Sequence, residues 1–330
     1  MPGERHIRRA NPSAATCAVL AGAWVVLYVL FGLTVPGGKF WQPENLETIA
    51  RQTAIVGFAS IGMTFVIIRG AIDLSVGSVV AFVTVVTAHL IQIEHLDGVT
   101  AGLLGVLAGC LCGLVNGLIV TGFRVSPFIA TLGSLLLIRG IAKGIANEQK
   151  VDVDHCPEWL KSILARLDIS LKWMVFAPGV WMLLLAAVVA AIVLRRTVFG
   201  RNVIAAGANE EAAFLCGLPV RRELVMVFVV CGLFTGLAGL LQFSRLTVGD
   251  PTVAAGLELD VIAAVVIGGA SLSGGQGSIA GSLLGALVMT TIKSGSTQLG
   301  LTNWIQEITT GLIIVSAVSI DRLRNRKVSE

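Results

Sequence analysis

Ten apolar runs, separated by charged or glycine-rich breaks, leave few folds open to this chain. A helix that crosses the hydrocarbon core of a bilayer needs about 20 predominantly apolar residues, and most of these runs approach that length. Only 13% of the residues are charged, whereas soluble domains average about 25%. The sequence therefore predicts an all-α polytopic membrane protein with about ten transmembrane helices, at 15–33, 48–68, 74–93, 99–121, 126–146, 173–194, 223–243, 259–273, 278–293 and 303–320.

The basic residues predict how these helices are oriented. If the N-terminal Arg5, Arg8 and Arg9 lie in the cytoplasm, ten spans return the C-terminus to the same side. On this topology 14 Lys and Arg residues lie in cytoplasmic segments and 7 in outer ones, which obeys the positive-inside rule. We predict that both termini are cytoplasmic. A count of eight or nine spans stays open if the glycine-broken stretch 259–293 is re-entrant.

The first apolar run is interpreted as an uncleaved helix. The run from Cys17 to Leu33 is rather long for the hydrophobic part of a signal peptide, and no small-residue cleavage site stands at its end. We therefore expect cytoplasmic tails at 1–14 and 321–330 on either side of a transmembrane domain at 15–320.

A glycine- and serine-rich break interrupts the apolar stretch 258–285. Two carboxylates, Glu258 and Asp260, precede the break, and the break itself contains Gln276. In a membrane every backbone N–H and C=O group must be satisfied within the protein, so non-helical backbone persists at membrane depth only where protein or a watery cavity covers it. The break therefore indicates a solute path, and these three side chains are candidates to line it.

A second break lies at 69–78, between the second and third predicted helices. Asp73 and Ser75 fall inside it. An acidic residue at membrane depth is costly and usually faces a cavity or a partner, so both residues are candidates for the translocation path. The alternative is that Asp73 caps the third helix, with Arg69 as its ion-pair partner four residues earlier.

The segment after the seventh predicted helix, 244–251, lies outside the membrane on this topology. Asp250, together with Glu258 and Asp260, has the oxygens to bond a polyhydroxylated solute or the basic surface of a partner. A solvated acidic loop, with Pro251 as a turn residue, is the alternative. The sequence does not decide between them.

The longest predicted cytoplasmic segment, 195–222, contains a short helix. Asn209 is a good N-terminal cap, and the acidic residues that follow suit the positive end of a helix dipole. Gly217 and Pro219 end the helix. Two exposed turns between membrane spans have little structural use of their own, so we expect the helix to enter a groove on a partner. A helix that lies on the lipid headgroups is the alternative.

Small residues recur every four positions along the fourth predicted helix, from Ala101 to Thr121, and again at Gly277, Gly281 and Gly285. Such ridges let a neighbouring backbone approach closely. We expect them to serve helix packing within the chain. Subunit pairing or helix sliding is the alternative.

Several segments of the chain resemble a known family. They read GAIDLSVGS, GLVNGLIV, SPFIATLGSLLLIRG, FGRNVIAAGANEEAAFLCGL and ELDVIAAVVIGGASLSGGQGSIAGSLLGA, in order between about residues 50 and 320. They are similar to the permeases of bacterial ATP-binding cassette (ABC) importers for ribose and related sugars. The resemblance implies a homo- or heterodimeric permease in the inner membrane. Its implied partners are two ATP-binding subunits and a periplasmic or lipid-anchored sugar-binding protein.

In that family the FGRNVIAAGANEEAA segment corresponds to the coupling helix that docks on the ATPase. The resemblance places this ATPase-coupling role on one short stretch, at Gly207, Asn209, Glu210, Ala212, Ala213 and Gly217. Ala208 and Cys216 stand where Gly and Ser are usual, and Ala71 replaces a common Gly before Ile-Asp-Leu-Ser. All three changes exchange small residues, so we expect coupling to persist and the solute to differ.

Motifs for catalysis are missing from the sequence. It has no GxxxxGK(S/T) phosphate-binding loop, no HExxH motif and no triad-like constellation. We predict no catalytic residue, metal or cofactor and expect ATP hydrolysis in a separate subunit. Membrane lipid is an expected partner and nucleic acid is not. Two alternatives stay open: an ABC permease for an amino acid or nucleoside and, less favoured, a secondary transporter that works alone.

Overall fold

The computed structural model describes residues 12–165 and 175–329, and these ranges are almost entirely helical. A 3-10 turn at Pro36–Trp41 joins the first two helices, and two short strands, β1 (Val151–Asp152) and β2 (Val248–Gly249), pair antiparallel. The α-helices of the described ranges are α1 (Pro12–Thr34), α2 (Pro43–Ile68), α3 (Val76–Gln92), α4 (Gly98–Phe123), α5 (Pro127–Ile145), α6 (Glu158–Ser162), α7 (Pro178–Arg196), α8 (Val198–Ala208), α9 (Glu210–Leu215), α10 (Val220–Leu246), α11 (Leu257–Ile267), α12 (Ile279–Gln298) and α13 (Asn303–Ser329).

Each of the ten predicted apolar runs contains a helix, which confirms the prediction of a helical chain. The start of the sixth run, at 173, and the three basic N-terminal residues lie outside the described ranges. The last helix, α13, continues beyond its predicted end at 320. Six helices of the described ranges are long and apolar enough to cross a membrane: Thr16–Thr34, Pro43–Ile68, Gly98–Phe123, Pro127–Ile145, Pro178–Arg196 and Val220–Leu246.

The bundle is organised around α10, which packs against α2, α3 and α4. Glycines permit its close approach to α4. A Cβ added at Gly109 would lie 2.7 Å from the Cα of Gly236, and one at Gly113 would overlap the carbonyl oxygen of Phe228. The small-residue ridge of α4 therefore packs inside the chain, as expected. In the second ridge, Gly281 and Gly285 of α12 pack in the same way against the end of α11, whereas Gly277 precedes α12 and packs against Ile68 of α2.

Helix α3 begins inside the bundle rather than at its surface. After α2 ends, Gly70 turns the chain with a φ of +82°, and residues 71–75, most of them buried, run inward without regular structure. The hydroxyl of Ser75 accepts a hydrogen bond of 2.9 Å from Nδ2 of Asn116 in α4. Because Asn116 lies two turns before the end of α4, the first turn of α3 is about 10 Å inside the bundle.

The loop between α10 and α11 runs inward along α3. Gly249 packs against Ala88, near the outer end of α3, and Ala254 reaches Gly77 in its first turn. Helix α11 therefore begins inside the bundle as well. Its N-terminal end lies beside the N-terminal end of α3.

Whether 244–251 lies outside the membrane stays a prediction, but the loop that continues from it packs its backbone against α3 and α5. A loop is tolerated in the interior only if its backbone groups find partners, and Arg139 of α5 supplies two of them. Its guanidinium donates to the carbonyl oxygens of Pro251 (3.0 Å) and Val253 (2.6 Å). Arg139 is more than 100 residues from Pro251 in the sequence, so no local sequence pattern predicts that this loop is buried.

The glycine- and serine-rich break occupies 268–278, because α11 ends earlier than its predicted limit at 273. The turns that end α2 and α11 share one pattern. Gly70 and Gly269 both have a positive φ, and in each turn the next N–H bonds a carbonyl five residues back. Both are Schellman turns, in which a glycine reverses the chain at the end of a helix.

Candidate translocation site and coupling surface

A cavity of about 650 Å³ opens at the end of the bundle where α2 begins. Its walls are the first half of α2, the end of α10, the loop before α11 with the first turn of α11, and the second half of α12, with one residue each from the 3-10 turn and α13. Charged and amide side chains in a cavity among apolar helices suit a hydroxyl-rich solute, because they offer hydrogen-bond donors and acceptors away from lipid. Its charged and amide lining consists of Lys39, Gln42, Glu44, Asn45, Gln52, Gln242, Arg245, Asp260, Lys293, Gln298 and Gln306.

Asp260 is the sequence-predicted path residue that lines this cavity. Its carboxylate is buried and forms an ion pair with Lys293 of α12, whose side chain is 44% exposed. Asp260 lies in the first turn of α11, where the positive end of the helix dipole also favours a negative charge. The pair therefore presents charges of both signs at the cavity wall.

Asn45 fixes the elements on the α2 side of the cavity. Its Nδ2 donates to the carbonyl oxygen of Phe40 (3.0 Å), and its Oδ1 accepts hydrogen bonds from Ser294 (3.0 Å) and Gln298 of α12. Because the buried amide of Asn45 in α2 bonds both the 3-10 turn and α12, these three elements keep a fixed spacing around the cavity.

Asp73 lies in the buried turn ahead of α3. Its Oδ1 accepts hydrogen bonds from the backbone N–H (2.9 Å) and the hydroxyl (2.6 Å) of Ser75. The predicted ion pair with Arg69 is wrong, because Arg69 pairs with Glu210 and Glu223 instead. The Gly70 turn explains the difference, since it directs the chain after it inward while Arg69 stays at the end of α2.

Glu258 lies against the first turn of α3. A Cβ added at Gly77 would overlap Oε2 of Glu258, so only glycine leaves room for the carboxylate there. The N-terminal ends of α3 and α11 thus meet, with Asp73 before one and Glu258 within the other. Helix N-terminal ends favour negative groups, and paired half-helices of this kind form solute sites in other transporters.

Asp250, by contrast, is held at the outer end of the loop. It forms an ion pair with Lys150 (3.2 Å) and accepts hydrogen bonds from Thr252. Burial acts to raise the pKa of Asp250, but the bonds from Thr252 and Lys150 outweigh burial and lower the pKa. Asp250 is therefore neither a freely solvated acid nor a lining residue of the cavity; it fastens the loop.

Gln276 lies apart from the other path candidates. It is exposed in the 268–278 break, at the end of the bundle opposite the cavity. There the N–H of Gly275 donates to the carbonyl oxygen of Ile68 at the end of α2 (2.7 Å). The two breaks in the helical structure therefore meet at this end, while a path role for Gln276 stays a prediction.

The short helix predicted within 195–222 is confirmed as α9, whereas its cytoplasmic location stays a prediction. The side chain of Asn209 accepts a hydrogen bond from the N–H of Ala212 (2.9 Å), and Gly217 ends the helix with a φ of +83°. Of the predicted coupling residues, Ala213 is buried, whereas Asn209, Glu210, Ala212 and Gly217 are exposed.

Two large apolar residues that are not among the predicted coupling residues lie on the exposed side of α9. Phe214 is 65% exposed and Leu215 is 79% exposed. Large apolar side chains at the end of a charged helix are a signal that points to a protein partner.

Gly207 joins α8 to both breaks. A Cβ added at Gly207 would overlap the carbonyl oxygen of Ile68 and lie 2.9 Å from the amide nitrogen of Gly275. Gly274 also packs against the carbonyl oxygen of Gly207. We call this contact the glycine joint (Ile68, Gly207, Gly274 and Gly275). It lies between α8, the end of α2 and the 268–278 break, and it is not part of the exposed face of the 195–222 segment.

Residues 45–318 match the family described as branched-chain amino acid transport system / permease component. The chain belongs to this family. No solved structure gives a significant match to the permease.

Curated relatives resemble the permease over most of its length. The L-arabinose ABC transporter permease protein of Azospirillum brasilense is 38% identical, over 92% of this chain and 87% of the relative. The ribose import permease protein of Bacillus subtilis is 36% identical over 91% of each chain. A probable ABC transporter permease protein of Escherichia coli is 40% identical, over 92% of this chain and 89% of the relative.

Sequence reasoning also misses three polar residues in the interior of the permease. Arg139 interrupts an apolar helix, Asn116 is the one amide in α4, and Glu223 lies in the first turn of α10. For Arg139 and Asn116 the available signal is a polar group within an apolar run. Glu223 follows two arginines and gives no such signal. Their partners lie on other helices, so the sequence does not say what each one bonds.

Proposed function

We propose that this chain is the membrane-spanning permease subunit of an ATP-driven ABC importer for a monosaccharide or a related polyol. The polar cavity at the start of α2 carries the proposal, because its charged and amide groups match the hydroxyls of a sugar. The relatives named for arabinose and ribose support the same class of cargo. The importer lies in the inner membrane of a bacterium.

The proposed topology has ten spans and two cytoplasmic termini. Six helices are long enough to cross alone, and α12 and α13 add two more. The remaining two, α3 with 17 residues and α11 with 11, are partial spans that begin within the bundle. On this topology α8 and α9 lie in the cytoplasm, and the cavity opens toward the periplasm.

The importer has partners on both sides of the membrane. A separate ABC ATP-binding subunit docks on α9, whose exposed Phe214 and Leu215 fit an apolar groove. A periplasmic or lipid-anchored sugar-binding protein delivers the solute to the cavity. A second copy of the permease, or a homologue, completes the path, and lipid covers the exposed apolar faces of helices such as α4 and α7.

Coupling passes through the glycine joint. When the ATP-binding subunits close, they displace α9, and the packing of Gly207 on Ile68 and Gly275 transmits the displacement to the two breaks. The chain leads from these breaks to α3 and α11, whose N-terminal ends meet at Gly77 and Glu258. A movement at the cytoplasmic end therefore reaches the interior polar groups and changes the side to which the path opens.

An amino acid is the second candidate cargo. The family description names branched-chain amino acids, and the Asp260–Lys293 pair offers charges of both signs to the ammonium and carboxylate of such a solute. The relatives named for arabinose and ribose favour a sugar, and the solute that the binding protein takes decides between the two classes.

The test is purification of the chain from its native membranes in mild detergent, with the co-purifying proteins identified by mass spectrometry. We expect an ABC ATPase and a solute-binding protein, and we expect calorimetry to show that the binding protein takes D-ribose or L-arabinose rather than L-leucine. Binding of L-leucine alone would move the proposal to amino acid import. Recovery of the chain alone, active in gradient-driven uptake without ATP, would contradict an importer.

A further inference from the structure

Arg69 is a buried cation that lies between two carboxylates. It follows the last residue of α2, and its side chain is 3% exposed. Its Nη2 lies 3.4 Å from Oε1 of Glu210 in the first turn of α9, and its Nη1 donates to Oε2 of the same carboxylate (3.4 Å). On its other side, Nε lies 3.9 Å from Oε2 of Glu223 in the first turn of α10.

Glu223 is poorly satisfied in this arrangement. Its side chain is 3% exposed, and neither carboxylate oxygen accepts a hydrogen bond from any residue in the described ranges. A buried carboxylate without hydrogen bonds is costly. A small movement of the Arg69 guanidinium would close the 3.9 Å gap and give Glu223 the forked pair of donors that arginine offers to a carboxylate.

We infer that Arg69 is a two-position latch between the coupling helix and the membrane domain, bound to Glu210 in one position and to Glu223 in the other. The inference rests on the proposed function, and it names the residue through which movement of α9 reaches the path. In the structure the guanidinium hydrogen-bonds Glu210 and lies only within ion-pair distance of Glu223; in the other position it hydrogen-bonds Glu223, so one charge-assisted bond replaces another. A small energy gap between two discrete arrangements is what a switch requires.

The place of Arg69 in the chain connects this latch to the path. Its Nη1 also contacts the carbonyl oxygen of Ala206 in α8 (3.5 Å), next to the glycine joint. In the other direction, the Gly70 turn and the inward segment lead directly to Asp73. A shift of the guanidinium away from α9 therefore changes how the end of α2 is held against α8, close to the point where the chain enters the bundle.

Two neutral variants bias the latch in opposite directions. Hydrogen–deuterium exchange of the full chain in lipid nanodiscs reports on α9 directly. In Glu210→Gln, Arg69 moves to Glu223, and we expect the amides of 210–217 to exchange about tenfold faster, because a charge-assisted contact to α9 is lost. In Glu223→Gln, Arg69 stays with Glu210, and we expect exchange in the same peptide to be unchanged or slower.

Hydrolysis by the whole importer gives a second readout that a purely structural ion pair does not predict. With the ATP-binding subunit present, Glu210→Gln is expected to hydrolyse ATP with little further stimulation by the sugar-loaded binding protein. Glu223→Gln is expected to keep the stimulation but to take up D-ribose about tenfold more slowly, because the latch cannot change position.

Arg222→Gln is the matched control, because it removes an exposed charge beside Glu223; it is expected to leave exchange and hydrolysis unchanged. Faster exchange of α9 in both carboxylate variants, or in neither, would overturn the latch. Failure of the unaltered complex to take up sugar with ATP would instead count against the proposed function. The exchange experiment on the isolated chain decides the latch in either case.

Discussion

At the scale of single residues, Gly207 has no room for a side chain. A Cβ there would overlap the carbonyl oxygen of Ile68, a backbone atom that cannot rotate away. We expect Gly207→Ala to destabilise the chain by about 1–3 kcal/mol, the usual range for overpacking, and to lower its unfolding temperature in detergent. Gly140→Ala is the control, because nothing lies within 4 Å of its added Cβ. Equal unfolding temperatures would contradict the close packing of the glycine joint.

The ion pair at the cavity predicts unequal effects from its two partners. Lys293→Met leaves the buried Asp260 without a counter-charge, whereas Asp260→Asn leaves a lysine that water already reaches. Removing one partner of a buried pair costs about 3–5 kcal/mol, and less where solvent has access. We therefore expect Lys293→Met to lower the unfolding temperature more than Asp260→Asn.

The double variant of this pair separates stability from transport. Asp260→Asn combined with Lys293→Met leaves no unpaired charge, so we expect it to recover most of the unfolding temperature. Sugar uptake should stay impaired, since the cavity wall has lost both charges. Full recovery of uptake would exclude a role for the pair in the path.

Local sequence signals predict the role of a residue well where its hydrogen-bond partner is close in the sequence. The Asn209 cap and the Gly217 stop involve bonds within one helical turn, and both are predicted correctly. The Arg69–Asp73 pair is predicted from spacing alone and is wrong, because a turn at Gly70 separates the two side chains. Sequence spacing indicates contact only while the backbone stays regular.

At the scale of elements, the loop between α10 and α11 depends on Arg139. Arg139→Met would leave the carbonyl oxygens of Pro251 and Val253 without their donor, at a cost of about 1–3 kcal/mol for each buried group. We expect the peptide 248–256 to exchange its amides at least about tenfold faster and uptake to fall, because the loop sets the start of α11.

Lys143→Met in the next turn of α5 is the control for Arg139, because that lysine is exposed. It should leave exchange at 248–256 unchanged. Arg139→Lys is expected to fall between the two, since its ammonium keeps the charge but ends one bond short of Nη1, the nitrogen that donates to both carbonyls. Unchanged exchange in Arg139→Met would show that other groups hold the loop.

The sequence predicts the helices themselves and not where two of them begin. Apolar runs of about 20 residues are a strong signal, and each such run contains a helix. The inward course of 248–256 has no comparable signal, because Asp250 and Pro251 are typical of exposed turns and their burial depends on α3 and α5. The meeting of α3 and α11 at Gly77 and Glu258 is likewise a contact between distant segments.

At the scale of the whole molecule, the exposed side of α9 is where we propose that the ATP-binding subunit docks. Leu215→Glu places a charge on a residue that is 79% exposed, so we expect the unfolding temperature to stay within about 1 °C of the unaltered chain. Capture of the ATP-binding subunit should fall by at least about tenfold, because a buried apolar anchor is lost from the interface.

Ala213→Glu is the contrasting variant on the same helix. Ala213 is buried against Ala206 and Val220, so a carboxylate there should destabilise the cytoplasmic segment itself and lower the unfolding temperature. A docking face on α9 would be contradicted if Leu215→Glu and Ala213→Glu both failed to capture the ATP-binding subunit and both lost the same amount of stability.

At this scale the sequence-level resemblance predicts the class of the molecule, and the family match confirms it. The cavity is different, because the 3-10 turn, α2, α10, the loop before α11, α11, α12 and α13 all contribute residues to it. Only Asp260 among these residues is a predicted path residue. A site assembled from seven segments depends on how they pack, so the sequence indicates its members only where a charge interrupts an apolar run.

The most direct test is sugar uptake by the chain reconstituted in liposomes with its ATP-binding subunit and binding protein. We predict that D-ribose or L-arabinose accumulates only when ATP and the binding protein are both present, and that a proton or sodium gradient has no effect. Uptake that follows an ion gradient, with the chain alone and without ATP, would contradict the account.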